Sequence, residues 1–231
     1  MKRIGLAVIG SLWLASASSA QMPGMNVPPS PAGALARFFG SNLAFSASAQ
    51  VVTGRKTSVM SFAVSGGKVR NEIDMTKLGK IKPQDAADMK QMGMDRMVIL
   101  ALPGKTVIYV MYPALESYFE APRSGSQAGG ATLKTALGNE TIDNHPCAKS
   151  KLTITDADGK VSEALVWEAT DLNDFPIQYQ TTDSGETTIT TFRDINQSSP
   201  DAALFEVPAK YKQYGSMQEL IMGNMQRMMQ Q

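Results

Sequence analysis

The chain has one histidine and one cysteine, His145 and Cys147, and they stand two residues apart. Such a pair could be a thiol nucleophile served by an imidazole base, or two ligands of a metal. Pro146 lies between them, Asp143-Asn144 before them has the composition of a turn, and no cysteine-nucleophile signature flanks them. A zinc site would need ligands of these types that the sequence lacks. The pattern assigns no catalytic residue, and Cys147 reads as a small buried hydrophobe.

Two further spacings invite a ligand. Asp156-Ala157-Asp158-Gly159 opens like a calcium loop, but residues 160–165 read as strand where more oxygen ligands and a bidentate Glu are required, so a hairpin turn is expected. Methionine is the sharper case: there are fifteen, and Met89, Met92, Met94 and Met97 fall within nine residues. Met225, Met228 and Met229 lie near one end, and Met22 and Met25 near the other. Thioethers are soft ligands that select Cu(I), yet Met is also the adaptable filler of cores and of surfaces that accept variable apolar ligands. If Met94 and Met97 share a strand they face opposite sides, which spoils a chelate. Core filling is therefore the primary reading, with no cofactor and no metal expected, and a Met-rich Cu(I)-binding envelope protein is the alternative.

The elements that would position these residues begin after a leader. Residues 1–20 place Lys2 and Arg3 before an apolar run of about a dozen residues and end in small residues around Ser18 and Ala20, the order of a secretion signal cleaved near Ala20. The run is too short to span a bilayer, which takes roughly 20 apolar residues, so no membrane anchor is expected. Residues 21–30, QMPGMNVPPS, read as a flexible leader. The formal net charge of +1 becomes −1 without Lys2 and Arg3, which leaves no electrostatic footprint for nucleic acid. One thiol cannot make an internal disulfide, so the secreted chain must be held by its own core.

Ser30-Pro31 marks the start of a short helix with Leu35, Phe38 and Phe39 as its buried stripe and Gly40 as its stop. From Leu43 the apolar period changes to two, through Phe45, Ala47, Ala49 and Val51, and strands are expected at 57–65, 69–75, 96–102, 106–112, 147–155, 161–169, 175–182 and 187–195. A helix over 83–93 interrupts them, with Pro at its start and Gly at its end. Residues 98–102, VILAL, and 107–112, VIYVMY, are apolar on both faces, so something must cover their second face. Residues 123–131 read as a Gly/Ser loop. The strands do not alternate with long helices, which makes the class antiparallel α+β with a large curved sheet. The last element, 213–231, is a Met-rich amphipathic helix: Ser216 and Glu219 have capping-box spacing, and Met217, Leu220, Ile221, Met225 and Met228 fall on one side.

From Gly138 to Tyr211 the order of motifs is familiar as a unit: GNETIDNHPCAKSKLTI, then ALVWEATDLNDFPIQYQ, then FRDINQSSPDAALFEVPAKY, preceded by YPALESYFEAP. It resembles the secreted bacterial domains of unknown function near the LolA/LolB-like lipoprotein-carrier superfamily, over about half of the secreted chain. The resemblance implies that residues 31–212 form a LolA-like domain, an incomplete barrel wrapped around a few helices with an apolar cavity between. It also implies carriers of acyl chains or periplasmic sensors, and it supplies no named functional residue.

Together these readings predict a non-catalytic periplasmic or secreted binding protein that holds a lipid, acyl chain or apolar peptide. Lipoprotein or another envelope protein is the expected partner, and an envelope sensor or assembly module is a further alternative. The candidate ligand-contacting residues are Val98, Leu100, Leu102, Ile108, Val110, Tyr112, Leu165, Trp167 and Phe38. The last helix, through Met217, Leu220, Ile221, Met225 and Met228, is the candidate lid or partner helix, and the copper alternative would use Met89, Met92, Met94 and Met97.

Overall fold

The computed structural model describes residues 43–79, 81–123, 132–155, 159, 161–183 and 185–229. The expected signal, leader and first helix, with Phe38, lie outside these residues, as do Asp156 and Asp158. Twelve strands form one sheet: β1 Phe45–Thr53, β2 Lys56–Ser65, β3 Lys68–Asp74, β4 Arg96–Ala101, β5 Val107–Tyr112, β6 Ser117–Pro122, β7 Thr132–Ile142, β8 His145–Thr155, β9 Val161–Ala169, β10 Phe175–Asp183, β11 Glu186–Asn196 and β12 Lys212–Tyr214. Among the described residues the helices are α1, Pro83–Gln91, and α2, Met217–Met228. Strand order across the sheet is β12-β6-β5-β4-β3-β2-β1-β11-β10-β9-β8-β7, antiparallel throughout except where β12 runs parallel to β6.

Local chemistry sets the hairpins. Gly66 and Gly67 have φ of 55° and 75°, and Asp143 and Asn144 have 47° and 70°. Both pairs are the two central residues of tight turns whose twist matches the flanking strands. The second turn joins β7 to β8 and begins β8 at His145, which extends the strand expected from Cys147 back over His145 and Pro146.

Covalent reach shows that the sheet curls. Strands β6 and β7 follow one another in sequence but stand ten positions apart in the sheet, roughly 48 Å if it were flat. The chain between Pro122 and Thr132 reaches at most about 36 Å. Bulges or irregularities interrupt β7 at Ala136/Gly138, β10 at Pro176/Gln178 and β1 against β11 at Ser46/Ser48, and bulges bend the strands that carry them. The result is the large curved antiparallel sheet, unclosed, that the resemblance implied.

The expected two-faced pair is β4 and β5. Met97, Val98, Ile99, Leu100 and Ala101 are each at most 2% exposed. What covers the outer side is residues 201–211: Asp201 caps a short 3-10 turn at Ala202–Phe205, and Phe205, Val207 and Tyr211 pack with Ala63, Val98, Leu100 and Met111 in a cluster of their own. Arg70 donates to the Leu204 carbonyl at 3.4 Å, and the Lys68 ammonium lies 5.9 Å from the Phe205 ring centre.

Candidate functional site

The register assigns each strand residue a face. Phe45, Ala47 and Ala49 on β1 pair with Val64, Phe62 and Met60 on β2, these pair with Val69, Asn71 and Ile73 on β3, and those with Ala101, Ile99 and Met97 on β4. Ile99 and Ala101 then oppose Val110 and Ile108 on β5. In the other direction Ala49 opposes Phe192 on β11. One continuous, largely apolar surface therefore runs across the sheet, and we call it the inner face. Aromatic rings fill its middle edge to face: Phe45 lies 5.9 Å from Phe192, and Phe62 5.7 Å from Phe192.

This register divides the residues expected to contact ligand. Ile108, Val110 and Tyr112 lie on the inner face, in the main core. Val98, Leu100 and Leu102 do not join them: Val98 opposes Met111 and Leu100 opposes Tyr109, which puts this set on the outer side beneath Phe205. Side chains alternate along a strand, so two adjacent strands apolar on both faces cannot give all their apolar residues to one surface. Leu165 is half-buried, pairs with Gln180 of β10 and packs against the main core. Trp167 is 4% exposed, its indole N–H donates to Glu140 Oε2 at 2.7 Å, and Lys149 Nζ lies 4.8 Å from the ring centre.

A residue absent from the expected set is Asn71. It is 1% exposed in the middle of the inner face, and its amide donates to Met60 Sδ at 3.3 Å while Oδ1 has no hydrogen-bond partner. A buried acceptor left unpaired costs roughly 1–3 kcal/mol. The signal was in the alternation, since Val69, Asn71 and Ile73 share a parity. The inner face also holds two tyrosines. Tyr112 donates to Met97 Sδ at 3.6 Å, and burial pushes its phenol up to about 12. Burial pushes Tyr179 up as well.

At one end of the inner face sits α2. Ser216 Oγ accepts from the Glu219 N–H at 3.2 Å, and Glu219 Oε2 accepts from the Gly215 N–H at 3.0 Å, so the cap forms with the reciprocal bond shifted back one residue. The docked side is Leu220 at 0% and Asn224 at 8% exposure, with Met217 and Ile221 half-buried. Met225, expected on this side, is 57% exposed. Asn224 takes the buried position because its side-chain amide donates to the Leu220 carbonyl at 2.8 Å and so needs no outside partner. Gly223 lies against Tyr214: a Cβ there would come within 2.6 Å of the ring.

The other candidate constellations resolve as follows. Cys147 is 2% exposed, its thiol donates to the His145 carbonyl at 3.3 Å, and burial pushes the thiol up. That is the reverse of an activated nucleophile, which needs thiolate at neutral pH. His145 Nδ1 is instead 2.8 Å from Asp171 Oδ2. The four clustered methionines are spread in environment: Met89 is half-buried on α1, Met92 is 44% exposed, Met94 packs on the main core and Met97 is an inner-face residue on β4. Among the described residues no group of three or more His, Cys, Asp or Glu side chains could hold a metal ion. Two shallow depressions lie near Val52 and Ile189 and near Glu140 and Cys147.

No protein-family model and no curated protein matches the sequence. Among solved structures, the lipoprotein LppX of Mycobacterium tuberculosis matches at 13% identity and a TM-score of 0.40, over 73% of this chain and 93% of that one. The MucA/MucB complex of Pseudomonas aeruginosa matches at 13% identity and a TM-score of 0.39, over 78% of this chain and 59% of that one. A LolA superfamily protein of Nitrosomonas europaea matches at 11% identity and a TM-score of 0.31, over 78% of this chain and 98% of that one. Identities of this size give no residue of this chain a role.

Proposed function

We propose that this is a non-catalytic periplasmic or secreted binding protein that takes a lipid, acyl chain or apolar peptide against the inner face of its curled sheet. The observation that carries the reading is the continuity of that face, apolar from β11 across to β5 in a sheet whose edges do not close. A sheet that needed only a core could bury it against one helix layer, whereas the described helices bury little here: α1 has no buried residue, and α2 buries Leu220 and Asn224. The lid in this reading is α2, held through a narrow docked side and therefore at the low-stability end of the fold. Asn71 adds a polar preference, for an occupant or water with a hydroxyl or N–H to give to Oδ1. A lipoprotein or another envelope protein would deliver or receive the occupant.

The test is native mass spectrometry of protein purified from its own host, before and after solvent extraction, together with binding of 1-anilinonaphthalene-8-sulfonate. The reading expects an extractable apolar adduct, and stronger dye fluorescence from a folded Leu220→Ala variant. An adduct-free protein whose Leu220→Ala form stays folded and gains no dye fluorescence would sink it. His145→Ala and Cys147→Ser are expected to leave binding intact.

A further inference from the structure

Asn71 carries a polar atom on the inner face that the fold does not use. The residue pairs with Phe62 on β2 and Ile99 on β4 and is 1% exposed. Its backbone is held in the ladder on both sides, and its side chain hydrogen-bonds to no backbone group, so it neither caps a turn nor fixes a register. Asn is also a poor strand former, and Val or Ile would pack here as Val69 and Ile73 do on the same parity. Chemistry fixes which amide atom is left over. A thioether sulfur accepts hydrogen bonds and donates none, so the nitrogen is the atom turned to Met60 Sδ at 3.3 Å, and Oδ1 is the one without a partner. The phenol two strands away, Tyr112, gives its O–H to Met97 Sδ instead.

We propose that the chain taken up by the inner face is an acyl chain with a hydroxyl within its length, and that this hydroxyl donates to Asn71 Oδ1. The inference rests on the reading of that face as the binding surface. One unpaired acceptor calls for one donor. A secondary amide would bring a carbonyl as well, and a headgroup several polar atoms or a charge, each of which costs free energy when buried without a partner. A hydroxyl brings a single O–H. The cross-strand neighbours of Asn71, Phe62 and Ile99, are apolar, so the ligand on either side of the hydroxyl is hydrocarbon. An unsubstituted chain would cover Oδ1 and leave it unpaired, and the site therefore discriminates against it.

The experiment is displacement of 1-anilinonaphthalene-8-sulfonate from the delipidated protein by stearate and by a set of monohydroxystearates that move the hydroxyl along the chain. The same series is run on Asn71→Leu, which keeps the volume and removes the acceptor, and on the smaller Asn71→Val. One isomer, or a few adjacent ones, is expected to bind the unaltered protein roughly ten-fold more tightly than stearate. Both variants should bind stearate at least as well as the unaltered protein, lose the preference, and unfold at a higher urea midpoint because the unpaired acceptor is gone. Stearate that displaces the dye with no isomer preferred over it would overturn the inference while the inner-face reading stands, with water as the partner of Oδ1. A preference that survives in either folded variant would overturn it too, since the hydroxyl then binds elsewhere. If neither stearate nor any isomer displaces the dye, the inner-face reading itself falls and this inference with it.

Discussion

Strands β4 and β7 belong to one sheet and live in opposite surroundings. From Met97 to Ala101 every residue of β4 is at most 2% exposed, with the main core on one side and the Phe205 cluster on the other. Strand β7 is eleven residues long at the far edge of the sheet, and all but Ile142 are exposed, with Leu133 at 65% and Leu137 at 51%. Backbone pairing makes both of them strands. Side-chain burial makes only the first one matter to stability, and it does so twice, once for each face.

The largest expected effects are therefore on the doubly covered strand and its cover. Leu100→Ala should cost about 2–5 kcal/mol and Phe205→Ala about 3–5 kcal/mol, read as a lowered urea midpoint at unchanged slope. The two residues share a cluster, so the double variant should lose less than the sum. Full additivity would mean that Phe205 does not seal Leu100.

The inner side of the same strands can be probed by pH. Tyr112 is neutral when protonated, and its buried phenol is pushed up from the ordinary 10 to about 12. The fold therefore holds this proton more tightly than the unfolded chain does. The stabilisation is fully present below about pH 10 and is lost as pH rises toward 12, a change of about 2–3 kcal/mol. Tyr179, also pushed up by burial, adds to the same alkaline loss. Tyr112→Phe should flatten part of the alkaline decline in stability followed by urea titration at rising pH, and an unchanged decline would remove Tyr112 from the inner face.

The contrast between β4 and β7 also explains what could be read in advance. Periodicity reports a difference between faces, so the half-buried β1, with Phe45, Ala47 and Ala49 turned inward, was legible, as were the two-faced β4 and β5. Strand β7, TLKTALGNETI, has no buried face and hence no period, and no strand was expected between the Gly/Ser loop at 123–131 and Cys147. The cover at residues 201–211 carries the motif LFEVPAKY, but its targets, Ala63, Val98, Leu100 and Met111, lie roughly 90–140 residues before Phe205 in sequence, and no local pattern encodes that. Which apolar residues of β4 and β5 share a face follows from register, and the choice between Val98 and Ile99 as inner residues needed the Ile99–Val110 pairing. On α2, polarity misdirected the reading: Asn224 is buried and Met225 is not, because a local hydrogen bond satisfies the amide.

Gly223 is a smaller probe of the same distinction, now on the helix docked through Leu220. In an exposed helix Gly→Ala gains about 1 kcal/mol of propensity. Here the new methyl would lie 2.6 Å from the Tyr214 ring, so the helix or the ring must move. Gly223→Ala should destabilise by roughly 1–3 kcal/mol, as overpacking does. A stabilised variant would show that α2 does not rest on Tyr214 in solution.

The smallest effect is expected where the comparison began, on β7. Leu133 and Leu137 keep much of their surface in water in the folded state, so removing their methyl groups changes little apolar area on unfolding. Leu133→Lys and Leu137→Lys should each shift stability by no more than about 0.5 kcal/mol, against several for Leu100→Ala. A lysine on an edge strand also discourages pairing with another sheet, which Lys134 and the bulge at Ala136/Gly138 already oppose. The measurement is the urea midpoint at two protein concentrations. If either variant loses more than about 1 kcal/mol, and the loss depends on concentration, the outward leucines of β7 are covered in solution by a second copy, and the strand belongs with β4 rather than opposite it.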